Sequence, residues 1–351
     1  MQQIYQPRIQ ASTLSDPIRV VQILDGDLAA IQRRAGIAAG PVEGEIGLRA
    51  FVQFCEAASE ALNLPDFGWR AGTVFDLRNL GQLGHAIQEA PTLGAALTLF
   101  QNAFAMVQSD SELKIHLEGG SVTVAYRILD PDIWPRRQDA ELTLAVLHKL
   151  VAAAAGPDWR PERITLEHGP GPVTGACRTA PRCPVCHEAP SNSFTFAERL
   201  LSRPLARAAG SRFRDASQML ERLARQCERA VPVRVQVRRA LLNRLGSAAP
   251  GQTEVAAALG MSRRTLRRRL AEEDTRFSAV LAECRMELAK RLLAMPGSRL
   301  ESTAVRLGYS ELSAFERAFK KQTGATPAQY RMRLARAPVP AAAGEGEACI
   351  E

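Results

Sequence analysis

The sequence predicts two domains of different class. The first is an α+β N-terminal domain of antiparallel strands plus helices, and the second is an all-α C-terminal domain with two helix-turn-helix units joined by a long helix. The 351 residues are enough to bury two hydrophobic cores. Alternating apolar and polar residues lie on both sides of Gly119-Gly120, and a helix-glycine-serine-helix pattern occurs twice near the C-terminal end.

The composition excludes several classes of protein. With 46% hydrophobic and 23% charged residues, the chain lacks the composition of a disordered protein. The longest apolar stretch, from Leu142 to Gly156, contains His148 and Lys149 and is too short to span a bilayer. The first residues lack the basic start and apolar run of a secretory signal, so we expect a cytoplasmic protein. Seven cysteines scattered through a long chain argue against a disulfide framework.

The positive charge is concentrated in one part of the chain, residues 232–336, which we call the basic module. The chain has a net charge of +8, but the basic module carries 21 Lys and Arg against 9 Asp and Glu, which gives +12 and leaves −4 for the remainder. Such an excess is typical of a surface that binds a polyanion, because neutralised phosphates release their counterions. Charge alone is equally compatible with RNA or a membrane surface.

The N-terminal part has helical patterns first and strand patterns later. From Ile18 to about Leu113, the apolar spacing predicts helices separated by Gly and Pro. Residues 112–129 alternate around Gly119-Gly120 and predict a β-hairpin. A buried helix is expected from Leu142 and a short strand from Arg163.

Two stretches of the chain predict no regular structure. The Gly, Pro and Cys content from about Gly169 to Ser193 predicts an irregular loop, and the end of the chain lacks both periodicity and bulk. The predicted boundaries are 1–210 for the first domain, 211–231 for a linker helix, 232–336 for the basic module and 337–351 for a disordered tail.

The basic module contains an internal repeat. Each copy places Leu-Gly, then Met or Tyr, then Ser between two helical patterns, and Gly260 and Gly308 are 48 residues apart. Each copy predicts a short helix, a tight turn at the glycine, an N-capping serine and a second helix. Glycine suits the turn because it adopts positive φ without a Cβ clash. The expected capping residues are Ser262 and Ser310.

The second helix of the first copy carries a basic face. Leu266 and Leu270 lie four residues apart and point toward the core. Four arginines share the opposite face, and Arg269 adjoins the core side. Crowded guanidiniums repel each other, so this face predicts a partner with negative charge and bidentate acceptors, such as phosphates and guanine edges. The alternative is a solvated charged helix, but the repeat and its glycines favour DNA. The arginines are Arg263, Arg264, Arg267 and Arg268.

The second copy is less basic. Phe315 and Phe319 take its core positions with an offset of one residue relative to the first copy. We expect milder base contacts from this copy and more of the affinity from the first. Between the copies, Phe277–Met295 predicts a helix about 28 Å long at about 1.5 Å per residue, which suits two reading helices about one DNA turn apart. The exposed residues of the second copy are Glu311, Ser313, Ala314 and Arg317.

Residues 254–331 resemble the C-terminal domain of the AraC/XylS family of transcription regulators. The resemblance rests on LGMSRRTLRRRL, on CRMELAKRLL in the long helix, and on LGYSELSAFERAFKKQTGATPAQYR. Thr326-Pro327 and Tyr330 match the turn that closes this domain in the family, where these residues have a structural role. The resemblance implies double-stranded DNA as the target, a transcription activator that works with RNA polymerase, a homodimer, and neither enzyme activity nor a cofactor. The DNA-binding residues that it implies are Ser262, Arg263, Arg264, Arg267, Arg268, Glu311, Ser313, Ala314 and Arg317.

Much of residues 18–206 resembles the arabinose-binding-type N-terminal domain of ornithine-utilisation and related amine-responsive members of this family. The matching segments are GQLGHAIQEAPTLGAAL, YRILDPDIWPRRQDAELTLA, GPDWRPERITLEH and CPVCHEAPSNSFTFAERLLSRPL. The resemblance implies a sensor for a small-molecule effector, with an amine or amino-acid-type metabolite among the candidates. The founding AraC sensor is a cupin-like barrel, whereas the helical patterns here predict a mixed α+β domain. Arabinose is therefore not supported as the inducer.

A group of residues after the hairpin is a candidate effector pocket. Trp134 would supply an aromatic wall, and the acids of the group would balance an amine. The alternative is a turn held by local ion pairs beside a packed tryptophan. The residues are Trp134, Arg136, Arg137, Asp139 and Glu141.

A cysteine-containing loop supports a second hypothesis, a metal- or redox-sensing regulator. Cys183, Cys186 and His187, with Cys177 nearby, are ligand types that suit a tetrahedral ion. A structural zinc site usually draws on two separated pairs, however, and no second Cys/His pair occurs in the sequence. A third interpretation is a DNA-repair enzyme with a methyl-accepting cysteine, but such a cysteine needs a four-thiolate zinc site.

Overall fold

The computed structural model divides the chain into two compact units, with the boundary between Val231 and Pro232. The predicted disordered tail, residues 337–351, lies outside the residues that the structure describes, as does Cys177. No helix within the described ranges is long and apolar enough to cross a membrane. The described residues are 6–38, 40, 42–130, 132–169, 181–205, 210–242, 251–294 and 299–336.

The first unit combines helices with a five-stranded sheet, which confirms the predicted α+β class. Its helices are α1 (Ser15–Ile23), α2 (Leu28–Ala35), α3 (Leu48–Ala61), α4 (Phe67–Val74), α5 (Gly81–Gln88), α6 (Leu93–Ala103), α7 (Arg137–Ala155) and α8 (Gly210–Ala230). Short 3-10 helices cover Ala11–Leu14, Leu77–Leu80, Phe104–Met106 and Glu198–Ser202. Its strands are β1 (Arg8–Gln10), β2 (Glu45–Gly47), β3 (Ser111–Glu118), β4 (Ser121–Ile128), β5 (Arg163–Thr165), β6 (Val185–Cys186) and β7 (Asn192–Ala197).

The main sheet has the strand order β3-β4-β7-β5-β6, and β1 pairs separately with β2. The predicted hairpin is confirmed: β3 and β4 are antiparallel, and Gly119 and Gly120 join them with φ values of 58° and 79°. β7 pairs antiparallel with both β4 and β5, whereas β6 runs parallel to β5. Phe194 and Phe196 of β7 are buried, so this central strand brings two aromatic rings into the core.

Two element boundaries differ from the predictions. β6 and the start of β7 fall inside the segment that was expected to be an irregular loop, because pairing with β5 and β4 supplies the backbone hydrogen bonds that local composition does not favour. Helix α7 begins at Arg137, before the predicted start at Leu142. The polar residues of its first turns, among them Gln138, are buried and hydrogen-bonded, which an apolar pattern does not reveal.

Helix α7 packs tightly against α4, and two glycines of α4 allow the approach. A Cβ atom on Gly68 would lie 2.0 Å from the Gln138 carbonyl oxygen, and one on Gly72 would lie 2.4 Å from the Leu142 carbonyl oxygen. The amide N–H of Gly68 donates to the Gln138 side-chain oxygen at 2.7 Å. Only glycine fits at these positions, so the contact fixes where the first turns of α7 lie.

Helices are the regular secondary structure of the second unit within its described residues, which confirms the predicted all-α domain with two helix-turn-helix units. Its long helix ends at Ala294, and Met295, where the sequence placed the end, lies outside the described residues. Val280 and Cys284 of this helix pack into a core with the first unit of the repeat, whereas Leu292 and Leu293 pack with the second. The helices are α9 (Val233–Leu242), α10 (Gln252–Ala258), α11 (Arg263–Glu272), α12 (Phe277–Ala294), α13 (Leu300–Arg306), α14 (Leu312–Thr323) and α15 (Pro327–Arg336).

Candidate nucleic-acid interface and effector region

The turn between α10 and α11 has the geometry that the sequence predicts. Gly260 adopts a φ of 63°, and the Ser262 side chain accepts a hydrogen bond from the Thr265 amide at 3.0 Å. This bond satisfies one of the free N–H groups at the start of α11. Leu266 and Leu270 are fully buried, which fixes the rotation of the helix about its axis. Helix α11 therefore presents one defined face to solvent.

Four exposed arginines occupy that outer face of α11: Arg263, Arg264, Arg267 and Arg268. Among the described residues, the acidic partner of this group is Glu272, whose carboxylate lies 3.8 Å from the Arg268 guanidinium. An exposed pair of this kind contributes about 0.3–0.5 kcal/mol and leaves the guanidinium available to another acceptor. Arg269 is exposed as well, so the basic surface is wider than the four predicted positions.

The second reading helix begins one residue later than the sequence suggested. Gly308 has a φ of 75°, as expected for the turn, but α14 begins at Leu312 after Glu311, and no side-chain hydrogen bond caps it. The prediction that Ser310 caps this helix is wrong. Phe315 takes the core position that Leu266 takes in the first copy, but it lies one residue further from the turn glycine. The start of α14 is displaced by the same one residue.

The predicted contact residues of the second copy lie at the start of α14. Glu311, Ser313 and Arg317 are exposed, and Ala314 is half-buried. The Ser313 hydroxyl donates to the Glu311 carboxylate at 3.1 Å, so these two side chains form a local polar pair. The surface is nearly neutral where α11 is strongly basic. That these residues contact DNA stays a prediction.

Arg285 of α12 is a positioning residue that the sequence did not single out. Its guanidinium lies 5.0 Å from the centre of the Tyr309 ring and donates to the Gly308 carbonyl at 3.3 Å. It therefore ties the turn before α14 to the long helix. The signal available in the sequence was weak, because Arg285 is one of several charged residues of this helix, among them Glu283 and Glu287. Its partner is the aromatic residue after the turn glycine.

The structure does not bring the five residues of the candidate effector pocket together around one cavity. The Arg136 guanidinium is buried and pairs with Glu167 at 2.9 Å, and it also donates to the Ile128 carbonyl at 2.8 Å. Arg137 pairs with Glu141 at 2.7 Å. Arg136, Arg137 and Glu141 thus form ion pairs around the start of α7, which agrees with the ion-pair part of the alternative interpretation, whereas its packed tryptophan does not agree because Trp134 is 57% exposed. That the five residues bind an effector stays a prediction.

Asp139 lies in the interior and lines a small cavity. Its Oδ2 atom accepts from the Tyr126 hydroxyl at 2.7 Å, and its Oδ1 atom has no hydrogen-bond partner among the described residues. Burial raises the pKa of Asp139 to about 7. The cavity has a volume of about 40 Å³ and is lined mainly by aromatic and aliphatic side chains such as Phe51 and Phe100. An apolar cavity that binds benzene has about 150 Å³, so this one is too small for an effector of ordinary size.

Trp134 occupies a different place, on an open cleft of about 210 Å³. Its side chain is 57% exposed, and the Arg136 guanidinium lies 5.6 Å from the centre of its ring. The cleft lies between this turn and the helices α2 and α3. Sequence reasoning missed the charged residues on its other walls, because they are far from Trp134 along the chain: Arg34, Arg49, Glu56 and Glu60.

Two family models match the chain, and together they cover both units. The model described as "Arabinose-binding domain of AraC transcription regulator, N-term" matches residues 26–205, and the model described as "Helix-turn-helix domain" matches residues 255–333. The HTH-type transcriptional regulator VirS of Mycobacterium tuberculosis is 30% identical over 92% of this chain and 96% of its own length. The chain belongs to the AraC family of transcription regulators.

Further relatives are also transcription regulators. The ornithine utilization regulator of Pseudomonas aeruginosa is 27% identical and covers 82% of this chain and 85% of its own length. The crystal structure of the transcriptional regulator CdpR from the same species is 27% identical, covers 89% of this chain and 97% of that one, and has a TM-score of 0.42. The two family models and VirS confirm the AraC-family resemblance inferred from the repeat, and with it the DNA-binding class of the protein.

The cysteine loop gives this AraC-family chain few metal ligands. Cys186 is exposed on β6, Cys183 is half-buried, and the His187 ring contacts the His168 carbonyl at 3.2 Å. Burial raises the pKa of the Cys183 thiol, which lowers its thiolate fraction. Within the described residues no group of three His, Cys, Asp or Glu side chains is placed to hold a metal. A metal- or redox-sensing role stays a prediction, and Cys177 is outside the described residues.

Proposed function

We propose that this AraC-family protein is a ligand-responsive transcription activator that acts in the cytoplasm as a homodimer. Its basic module binds tandem half-sites in a promoter, and the bound protein works with RNA polymerase. The first unit senses a small-molecule effector and needs no cofactor. The observation that carries the proposal is the exposed face of four arginines on α11, held in place by the Ser262 cap and two fully buried leucines.

Helix α11 is suited to the major groove because its guanidiniums can each donate two parallel hydrogen bonds to a guanine edge or to a phosphate. Helix α12 has 18 residues and contributes to both cores of the module, so it links the two helix-turn-helix units. Its length is about 27 Å at about 1.5 Å per residue, comparable with one DNA turn of ~34 Å. Two half-sites on one face of the duplex fit this spacing.

An effector can shift the DNA-binding state only through different affinities for the two states of the protein. The separate core and the open cleft of the first unit support a sensing role for that unit. The name of the ornithine utilization regulator connects that relative with an amino acid. We therefore propose an amine or amino-acid-type effector for this chain.

The proposed DNA binding is tested by replacing two arginines of the α11 face. The double variant Arg267→Ala/Arg268→Ala should bind the promoter upstream of its own gene more weakly, and its affinity should depend less steeply on salt, by about 0.9 in log–log slope for each lost phosphate contact. Fluorescence anisotropy at several salt concentrations measures both quantities. The matched control Arg199→Ala/Arg203→Ala removes two exposed charges from the first unit. An unchanged slope and affinity in the α11 variant rejects the arginine-face model.

The proposed response to an effector is tested with a reporter gene driven by the same promoter. A panel of amines, amino acids including L-ornithine, alcohols and sugars is added to cells that carry the wild type or the α11 double variant. Activation by one compound in the wild type, and none in the variant, supports a ligand-responsive activator. Constant expression with every compound, or repression, contradicts it.

A further inference from the structure

The exposed Trp134 side chain is held rigidly. Large aromatic residues on a protein surface often mark binding sites. Here the ring stacks on the Arg136 guanidinium at 5.6 Å, and Glu167 and the Ile128 carbonyl in turn fix that guanidinium at 2.9 Å and 2.8 Å. The indole is therefore a fixed surface that loses little conformational entropy when a ligand packs against it.

Trp134 forms one wall of a cleft of about 210 Å³. This volume is larger than the ~150 Å³ of an apolar cavity that holds benzene, so a molecule of about eight non-hydrogen atoms fits. Helix α3 forms the opposite wall, in which the polar residues Arg49, Gln53 and Glu56 stand beside the buried Val52 and Ala57, and Arg34 of α2 lies at one end. An ion pair between Arg34 and Glu60 lies at this end, and both charges are already compensated.

The cleft also carries two charges that lack an ionic partner. The Glu56 side chain is half-buried, and its Oε1 atom accepts from the Gln138 amide at 2.8 Å. Arg49 is exposed and donates from Nη1 to the Asp132 carbonyl at 2.7 Å. Within the described residues neither Glu56 nor Arg49 forms a salt bridge, although the nearby charge and backbone amide of Arg137 act to lower the pKa of Glu56. Burial raises the pKa of the Glu56 carboxyl, and a cation in the cleft would stabilise its ionised form.

We propose that this cleft binds a free α-amino acid, with its ammonium group at Glu56, its carboxylate at Arg49 and its side chain against the Trp134 ring. An aromatic face and two opposite charges complement a small zwitterion better than a simple amine, a carboxylic acid or a sugar. The regulatory meaning of this site rests on the proposed function, whereas the binding itself does not.

The site is connected to the central helix of the unit. Glu56 accepts from the Gln138 amide at the start of α7, and the Gln138 side chain donates to the Pro65 carbonyl and accepts from Gly68. An ammonium group at Glu56 competes with the Gln138 backbone N–H for the carboxylate. Occupancy of the cleft therefore alters how the first turn of α7 is held, which gives a ligand a way to bias the unit between two states.

Tryptophan fluorescence of the full chain tests the binding directly. Each of the twenty common L-amino acids is titrated to about 10 mM, because small ligands bind weakly. At least one should change the emission saturably. The change should disappear in Trp134→Phe, since Trp134 is the exposed one of the three tryptophans, and Trp69 and Trp159 should report little.

Two variants test the charges. Glu56→Gln and Arg49→Gln should each weaken binding about tenfold or more, as should removal of the ligand's amino or carboxyl group. The matched controls Glu198→Gln and Arg199→Gln, both exposed and outside the cleft, should bind as the wild type does. If Glu56→Gln perturbs folding because it loosens α7, Arg49→Gln still gives the answer, since that side chain is exposed. Equal binding of the parent amine or acid, wild-type affinity in Arg49→Gln, or no amino acid that binds overturns the assignment.

DNA anisotropy on the same samples separates this inference from the proposed function. If an amino acid occupies the cleft but changes neither DNA affinity nor reporter output, the binding site is supported and the ligand-responsive role is contradicted. A compound that activates the reporter equally in the wild type and in Arg49→Gln supports the role and rejects the cleft as its site.

Discussion

Replacing Asp139 by asparagine should become more favourable to the stability of the first unit as the pH rises, with net stabilisation at pH 8. The carboxyl group is buried, keeps one hydrogen bond from Tyr126, and leaves Oδ1 without a partner among the described residues. Burial raises its pKa from 3.8 to about 7. An acid whose pKa is higher in the folded state binds more protons there, so the folded state loses stability as the pH rises from about 4 to about 7.

The magnitude follows from the shift of the pKa. Each unit corresponds to about 1.4 kcal/mol, so the raised pKa of Asp139 costs the folded state about 4 kcal/mol at pH 8, and about 1.5 kcal/mol at pH 5, where the unfolded chain is ionised and the folded one is protonated. Asparagine does not ionise and still accepts from Tyr126, although its amide nitrogen takes the place of Oδ1 at a cost of about 1–3 kcal/mol. That cost is the same at both pH values. The advantage of Asp139→Asn should therefore grow by about 2–3 kcal/mol between pH 5 and pH 8.

Urea unfolding followed by tryptophan fluorescence measures this difference. All three tryptophans, Trp69, Trp134 and Trp159, lie in the first unit, so their emission reports that unit's unfolding within the full chain. The control Asp158→Asn changes an exposed carboxyl and should show no such pH dependence. Glu141, whose pKa burial also raises to about 7, titrates equally in both proteins and cancels in the comparison. A free-energy difference that is constant between pH 5 and pH 8, or that declines, refutes the reasoning.

Two further substitutions test the elements that position the sites. Ser262→Ala removes the cap of α11, so it should destabilise the basic module by about 1 kcal/mol and weaken DNA binding. Ser310→Ala removes no cap and should cost less than about 0.5 kcal/mol. Thermal unfolding followed by circular dichroism measures both differences. Gly72→Ala places a Cβ 2.4 Å from the Leu142 carbonyl oxygen, so it should destabilise the first unit by about 3 kcal/mol in urea unfolding. Gly47→Ala, whose Cβ would have no atom within 4 Å, should be nearly neutral. Equal effects of the two substitutions would contradict the packing argument.

The sequence was most informative about the basic module, because there the signals are local. A turn glycine, a capping serine and leucines four residues apart act within one or two helical turns, so their spacing alone predicted the geometry that Gly260, Ser262 and Leu266 adopt. The failure at Ser310 was local too. The core position of Phe315 is shifted by one residue, and packing decided where α14 begins.

Only the tertiary structure decided the organisation of the first unit. Trp134, Arg136 and Asp139 are neighbours along the chain, yet one lies on an open cleft, one is paired with Glu167, and one lies in the interior, because the chain enters α7 between them. The remaining walls of the cleft come from α2 and α3, about eighty residues or more before Trp134.

By itself, then, the sequence determined the class of each domain, the double helix-turn-helix and its basic reading face, since these depend on periodicity, turn chemistry and charge along short segments. Tertiary structure decided which acids are paired, that Asp139 keeps an oxygen without a partner among the described residues, and which distant charges meet at Trp134. The physical reason is that burial, ion pairing and cavity shape depend on contacts between residues far apart in the chain, and no local pattern encodes those contacts.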